Sequence, residues 1–93
     1  MKRIPTHPGE ILKDELAARG FSGNKLALAL RVPANRITGI LNGSRSITAE
    51  TALRLATYFG NDAQFWMNLQ TQYDLAVIGE RLGSTIKKEV DAA

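Results

Sequence analysis

The chain has 93 residues, with 44% hydrophobic and 23% charged residues, which predicts one ordinary folded domain with a single modest core. It contains no cysteine, which excludes a disulfide framework and a thiolate metal site. It also lacks an apolar run long enough to span a membrane and, at MKRIPTHPGEIL, the apolar core of a signal peptide. We therefore expect a cytoplasmic protein without cofactor or metal.

The net charge of +3 is distributed unevenly along the chain. Between residues 19 and 54 there are six basic residues and one acidic residue, Glu50, whereas the remainder holds six basic and eight acidic residues. A basic centre between acidic ends is typical of a protein that binds a polyanion. A basic face that only meets solvent would have the same composition, so charge alone does not decide.

The first two predicted helices have clear ends. The first begins at Pro8, because proline suits the first turn, and Gly20 can end it in the left-handed conformation. Ser22 can cap a second, short helix. The apolar positions of these two helices are Ile4, Ile11, Leu12, Leu16, Leu26, Ala27 and Leu30.

Three further helices follow in chain order. Pro33 opens the third, which Gly43 ends, and Thr48 caps the fourth, which Gly60 ends. The side chains of the fourth helix that are predicted to be buried in the core are Ala52, Leu53, Leu55, Ala56 and Phe59. Residues 61–64 (NDAQ) resemble a capping box for a fifth helix over about residues 62–78, and residues 80–93 resemble a frayed or partner-dependent tail. The pattern predicts an all-α, five-helix orthogonal bundle that forms a single domain over residues 1–93.

Residues 22–43 have the spacing of a helix-turn-helix. Ala27 supplies the small residue where two helices must approach, and Val32 follows the turn as a buried aliphatic. Ile37 and Ile40 are the inward positions of the second helix. Arg31 departs from the pattern, because glycine is common at this turn; an arginine there costs about 1 kcal/mol if the residue is left-handed.

A helix-turn-helix places the start of its second helix in the major groove of DNA, which selects the candidate contact residues. The residues predicted to contact base edges are Ala34, Asn35, Arg36, Thr38 and Gly39. The residues predicted to contact phosphates are Ser22, Gly23, Asn24, Lys25, Asn42, Ser44 and Arg45. Each of them can instead be an ordinary exposed residue.

The fifth helix carries an aromatic-rich face. Trp66, Leu69, Tyr73 and Val77 lie on it at helical spacing. Part of this face is predicted to form a two-fold dimer contact, because a palindromic operator needs two recognition helices about 34 Å apart. The alternative is that Trp66 and its neighbours complete the core.

The sequence offers no support for catalysis. His7 is the only histidine and precedes Pro8, where a histidine at a helix start is the simplest interpretation. The chain contains no glycine-rich phosphate loop, nucleophile–base pair or zinc-ligand spacing. We expect a binding protein, not an enzyme.

Four segments resemble a known family: HPGEIL, ILNGSRSIT, TALRLATYFG and FWMNLQTQYDL. Over residues 4–78 the sequence closely resembles the HigA (VapI-like) antitoxins of type II toxin–antitoxin modules, whose helix-turn-helix is of the phage-repressor type. The resemblance implies a lambda-repressor-like fold and a homodimeric antitoxin that neutralises a HigB-type toxin, a ribosome-dependent messenger-RNA endonuclease. It also implies repression of its own operon by binding to double-stranded operator DNA.

Two other binding functions remain open at this point. The chain can be a stand-alone repressor of the phage type without a toxin, or an antitoxin-like regulator that has lost its partner. HPGEIL and FWMNLQTQYDL favour the antitoxin, because a bare repressor has no need of them.

Overall fold

Five helices make up the fold of this protein. The computed structural model describes residues 5–93 and contains α1 (Pro8–Arg19), α2 (Gly23–Leu30), α3 (Ala34–Leu41), α4 (Ala49–Phe59) and α5 (Ala63–Glu89). No strand occurs among these residues. The all-α, five-helix prediction is confirmed. None of the helices described is long and apolar enough to cross a membrane.

The predicted helix ends are formed by the expected groups. The Ser22 hydroxyl accepts a hydrogen bond from the amide of Lys25, and the Thr48 hydroxyl caps α4 in the same way. Gly20 and Gly60 end α1 and α4 with φ of 69° and 74°, the left-handed region that glycine adopts without steric cost. Local sequence chemistry therefore sets these four boundaries.

The start of α1 is fixed against two other helices. His7 is the N-cap, and its Nδ1 accepts a hydrogen bond of 2.9 Å from the amide of Gly9. The His7 ring packs edge-on against Tyr73 of α5, with ring centroids 4.8 Å apart. Gly9 lies so close to α3 that a Cβ there would collide with the carbonyl oxygen of Ile40. His7 is therefore a structural residue of the helix start.

All five helices contribute to one core. Trp66 is its largest member and is 1% exposed, and its indole N–H donates to the Asn61 amide oxygen at 3.0 Å. The hydrogen bond satisfies the one polar atom of the ring, so the whole side chain can be buried. The other buried hydrophobic residues are Leu12, Leu16, Leu26, Ala27, Leu30, Ile37, Ile40, Ile47, Ala52, Leu55 and Ala56.

Two local predictions are wrong. Leu53 is 61% exposed, because α4 packs through Ala52, Leu55 and Ala56, and Leu53 lies off this face. The capping box at residues 61–64 does not form, since Asp62 makes no side-chain cap hydrogen bond. The neighbouring Asn61 amide binds the Trp66 indole instead. Ile4, predicted to be an apolar position of the first helix, lies outside the described residues.

The fifth helix is longer than predicted. It continues to Glu89, so most of the segment predicted to be a frayed tail is helical. No proline interrupts it after Ala63, and Lys87 and Lys88 lie in its last turn, where cations favour the helix dipole. No residue after Gln70 is buried, so the second half of α5 presents most of its surface to solvent.

Candidate nucleic-acid interface

The segment from α2 to α3 has the geometry of a helix-turn-helix. Ala27 is 2% exposed at the contact between the two helices, and Ile37 and Ile40 are fully buried. The amide of Val32 donates to the carbonyl of Ala27 at 3.1 Å, which closes the turn. The small and aliphatic positions of the sequence pattern thus occupy the places that the motif requires.

Arg31 adopts the left-handed conformation at the turn, with φ 59° and ψ 47°. It is the one residue other than glycine with positive φ in the described part of the chain. The conformation costs a residue with a Cβ roughly 1 kcal/mol. The Arg31 side chain is exposed and lines a cleft with residues of α2 and α4, so the departure from glycine adds a cation there.

The first turn of α3 faces solvent. Ala34, Asn35 and Thr38 are exposed, as base-contacting residues must be in the unbound protein. Gly39 is half-buried, and a Cβ there would lie 3.1 Å from the Cβ of Arg45. Gly39 therefore lets the loop after α3 fold close to the helix, a packing role that the sequence analysis did not assign to it.

Hydrogen bonds order the loop that follows α3. The amides of Ser44 and Arg45 both donate to the carbonyl of Gly39, at 2.9 Å and 3.1 Å. The Asn42 amide oxygen accepts from the Ser44 amide at 3.0 Å and from its hydroxyl at 2.6 Å. These bonds hold Arg45 beside Gly39 in the second half of α3, with Asn42, Ser44 and Arg45 all exposed.

The start of α2 offers fewer donors than predicted. The Lys25 amide already donates to the Ser22 hydroxyl, and the Lys25 ammonium lies 4.2 Å from the Phe21 ring centroid. The amides of Gly23 and Asn24 belong to the first helical turn and have no partner within the helix. Of the four predicted residues, these two therefore have backbone amides without a partner in the helix.

Arg36 is held by α4. Its Nη1 donates to Glu50 Oε1 at 3.2 Å. The other Glu50 oxygen accepts from Nε and Nη2 of Arg54 at 3.3 Å and 3.1 Å, and Arg54 Nη1 donates to the Leu30 carbonyl at 2.9 Å. The hydrogen bond from Arg54, with the charges of both arginines, lowers the pKa of Glu50. This network was not predicted from the sequence, although Glu50 and Arg54 have the spacing of a helical ion pair.

A cleft lies between the starts of α3 and α4. Its volume is about 270 Å3. It is lined by Arg36, Arg45, Ser46, Thr48, Glu50 and Thr51. The cleft therefore combines two cations of the predicted DNA-contacting set with one carboxylate.

The predicted dimer residues differ in exposure. Trp66 was predicted to be a dimer contact, but it is 1% exposed and belongs to the core. The body of the domain covers the first turns of α5, so Trp66 is not accessible to a second copy. Leu69, Tyr73 and Val77 are half-buried, so only part of each is accessible. Exposed apolar residues lie further along α5, at Leu75, Ile78, Leu82 and Ile86. Their spacing of three or four residues places them on one side of the helix, a signal that the sequence analysis missed.

Known proteins are similar to this chain in sequence and in fold. The helix-turn-helix family pattern matches residues 12–66. Virulence-associated protein I of Dichelobacter nodosus is 57% identical over 70 residues, an alignment that covers 74% of this chain and 65% of that relative. This chain thus spans just under two thirds of that relative's length.

Two solved structures are similar over nearly the whole chain. An addiction module antidote protein of the HigA family from Coxiella burnetii is 51% identical, with a TM-score of 0.92 and coverage of 98% of this chain and 100% of that one. The antitoxin HigA of Pseudomonas aeruginosa, solved with higBA promoter, is 45% identical, with a TM-score of 0.90 and coverage of 94% and 96%.

Proposed function

The chain belongs to the HigA family of helix-turn-helix antitoxins, and on that premise we propose that it neutralises a HigB-type toxin and represses its own operon. The resemblance implies that this toxin is an enzyme, a messenger-RNA endonuclease. In this proposal the chain is the inhibitor of that enzyme and a repressor of transcription. The exposed first turn of α3 is the observation that carries the DNA-binding half. The likeness to an antitoxin solved with promoter supports it.

Direct reading of the operator is assigned to the first turns of α3. The Asn35 amide can donate to and accept from the edge of an adenine, and Ala34 and the Thr38 methyl can pack against a thymine methyl. Gly39 packs against the loop after α3 and carries no side chain that could contact a base. The contact with Glu50 of α4 orients the Arg36 side chain. From this position Arg36 can reach a guanine or a phosphate at the edge of the site.

Phosphate contacts frame this helix on both sides. The open amides of Gly23 and Asn24 meet one phosphate at the start of α2, with Lys25 nearby and Ser22 keeping the helix end in place. On the other side, Asn42, Ser44 and Arg45 present an ordered loop to the next part of the backbone. Such contacts fix the register of α3 and carry no sequence information themselves.

A homodimer through α5 completes the DNA-binding unit. The second half of the helix is not buried by the body of the domain. A helical segment as short as this half is only marginally stable in water without packing partners. A stripe of Leu75, Ile78, Leu82 and Ile86 is available for a second copy. The predicted contacts Leu69, Tyr73 and Val77 lie on the opposite side of the helix, where Tyr73 packs against His7, and do not belong to this stripe. Pairing two such stripes shields apolar surface and sets two α3 helices on one face of the DNA.

Binding to the DNA upstream of its own gene tests the repressor half. Fluorescence anisotropy compares that duplex with a scrambled duplex of equal length at several salt concentrations. We expect a preference of at least about a thousandfold for the upstream DNA. Arg45→Ala is expected to weaken binding to both duplexes and to lower the salt slope by about one per half-site. Equal affinity of the unaltered chain for both duplexes would contradict the proposal.

Co-purification tests the antitoxin half. The reading frame next to this gene is expressed with a tag and a chain carrying Asn35→Ala and Thr38→Ala, two substitutions on the proposed DNA face. We expect the variant to stay bound to the tagged protein while operator binding is weakened, because the two substitutions remove only groups proposed to contact bases. Loss of both interactions together would contradict that separation.

A further inference from the structure

Glu50 is an acidic residue in a basic region. It is the one acidic residue between residues 19 and 54, against six basic ones, and it lies in the cleft next to the start of α3. A carboxylate on a surface that meets DNA repels phosphates and lowers the affinity for every sequence. Its position therefore requires a physical reason.

The position of the Glu50 carboxylate is fixed by Arg54. Two N–H groups of Arg54 donate to Glu50 Oε2, and a third donates to the Leu30 carbonyl at the end of α2. Arg54 is thus bound at one side to the backbone of the helix-turn-helix and at the other to Glu50. The two N–H groups on one oxygen give the carboxylate a preferred orientation, although the Glu50 side chain is 58% exposed.

The remaining Glu50 oxygen holds Arg36. The Arg36 side chain is 29% exposed and its Nη1 donates to Glu50 Oε1 at 3.2 Å. Arg45 lines the same cleft, yet it makes no ion pair among the residues that the structure describes. Of these two arginines, only Arg36 has its charge compensated.

The compensated charge affects specific and non-specific DNA differently. A phosphate on arbitrary DNA that binds Arg36 lies beside the Glu50 carboxylate, and the repulsion between these two anions offsets much of the gain. A guanine edge at the operator is neutral and meets no such repulsion, and Arg36 has five N–H donors, of which Glu50 accepts only one. The other edge of the guanidinium can bind O6 and N7 of a guanine while Nη1 stays on the carboxylate.

Resting on the DNA-binding function proposed above, we propose that Glu50 is a positioning residue that sets operator specificity by holding the Arg36 guanidinium. It withholds Arg36 from phosphates along arbitrary DNA and presents it in one orientation to the operator. The carboxylate is available for this role at neutral pH, because the neighbouring arginines hold the pKa of Glu50 below its ordinary value.

Glu50→Gln tests the inference through non-specific DNA. The substitution keeps the shape of the side chain and removes its charge, which frees Arg36 for phosphates. One additional phosphate contact steepens the salt slope by about 0.9 and raises affinity for a scrambled duplex about five- to tenfold per half-site near 0.1 M salt. Affinity for the upstream duplex is expected to rise less, so the specificity ratio falls.

Two further variants separate this role from simple helix packing. Glu15→Gln is the matched control, because Glu15 pairs with Arg19 at 2.9 Å within α1 and has similar exposure. It should change neither the salt slope nor the specificity ratio. Arg36→Ala, added to Glu50→Gln, should cancel the gain on scrambled DNA, because Glu50 acts through Arg36.

The outcomes distinguish the inference from the function on which it rests. Equal weakening of both duplexes by Glu50→Gln, with an unchanged salt slope and a lower melting temperature, would leave Glu50 a packing residue and overturn the inference. A gain that persists with Arg36→Ala would also overturn it. An unaltered chain without preference for its upstream DNA would instead overturn the proposed function, and the inference with it.

Discussion

Gly9→Ala tests how α1 is joined to the recognition helix. In helices alanine is normally favoured over glycine, by about 1 kcal/mol in the interior. At this position the added Cβ would collide with the Ile40 carbonyl oxygen and lie 2.9 Å from the carbonyl carbon. Both are backbone atoms of α3, and the Ile40 side chain is fully buried, so neither helix can yield by rotating a side chain.

The two effects have opposite signs, and the collision is the larger one. Forcing an extra carbon into a packed site costs about 1–3 kcal/mol, and a collision with backbone atoms belongs in the upper half of that range, about 2–3 kcal/mol. Subtracting a helix gain of about 1 kcal/mol leaves a net loss of about 1–2 kcal/mol. For a chain of this size each kcal/mol corresponds to roughly 4–8 °C, so the melting temperature should fall by roughly 5–15 °C. Thermal unfolding followed by circular dichroism, at one fixed protein concentration, measures it.

Ala17→Gly provides the reference for Gly9→Ala. Ala17 is exposed on the same helix, so its replacement measures the backbone preference without any collision, a loss of about 1 kcal/mol. An unchanged or higher melting temperature for Gly9→Ala would refute the close α1–α3 contact.

Four further predictions address the turn, the DNA face, the dimer and pH. Arg31→Gly should raise stability by up to about 1 kcal/mol in thermal unfolding, because glycine relieves the left-handed strain, and no gain would contradict that strain. Asn35→Ala with Thr38→Ala should cost about 1–3 kcal/mol of operator binding per lost contact in anisotropy titrations, and unchanged affinity would remove both from the interface. Leu82→Glu should give folded monomers in sedimentation velocity, since it buries a charge in the paired stripe; a persistent dimer would move the contact elsewhere. Because the pKa of Glu50 is lowered in the fold, its ion pairs stabilise the fold above the carboxyl pKa of the unfolded chain, and this stabilisation is lost as the pH falls through the pKa of the folded chain. Glu50→Gln should therefore slightly reduce the fall in melting temperature on the acid side. An identical pH profile for the variant and the unaltered chain would contradict the pairing.

Local chemistry explains which parts of the fold were predictable. Ser22, Thr48, Gly20 and Gly60 define helix ends through their own hydrogen bonds or φ values, so the sequence alone predicts those ends. The failure at residues 61–64 has the opposite origin. A tertiary contact, the hydrogen bond from the Trp66 indole to Asn61, replaces the local cap that the sequence favoured.

The sequence predicted which residues of the candidate site are exposed, but it did not predict the contacts between them. Exposure of Ala34, Asn35 and Thr38 follows from the helical register, because Ile37 and Ile40 point inward. The contact of Arg36 with Glu50 joins residues fourteen positions apart, and no periodicity within α3 predicts it. The stripe on the second half of α5 was missed because Gly79 and Gly83 weaken the helix signal there.

A growth assay tests the central claim most directly. The reading frame next to this gene is induced from one plasmid, with or without this chain supplied from another. The account predicts growth arrest by the neighbouring product alone and restored growth when this chain is present. Arrest that persists beside abundant, folded chain would contradict its assignment as an antitoxin for that product, and so would the absence of any arrest.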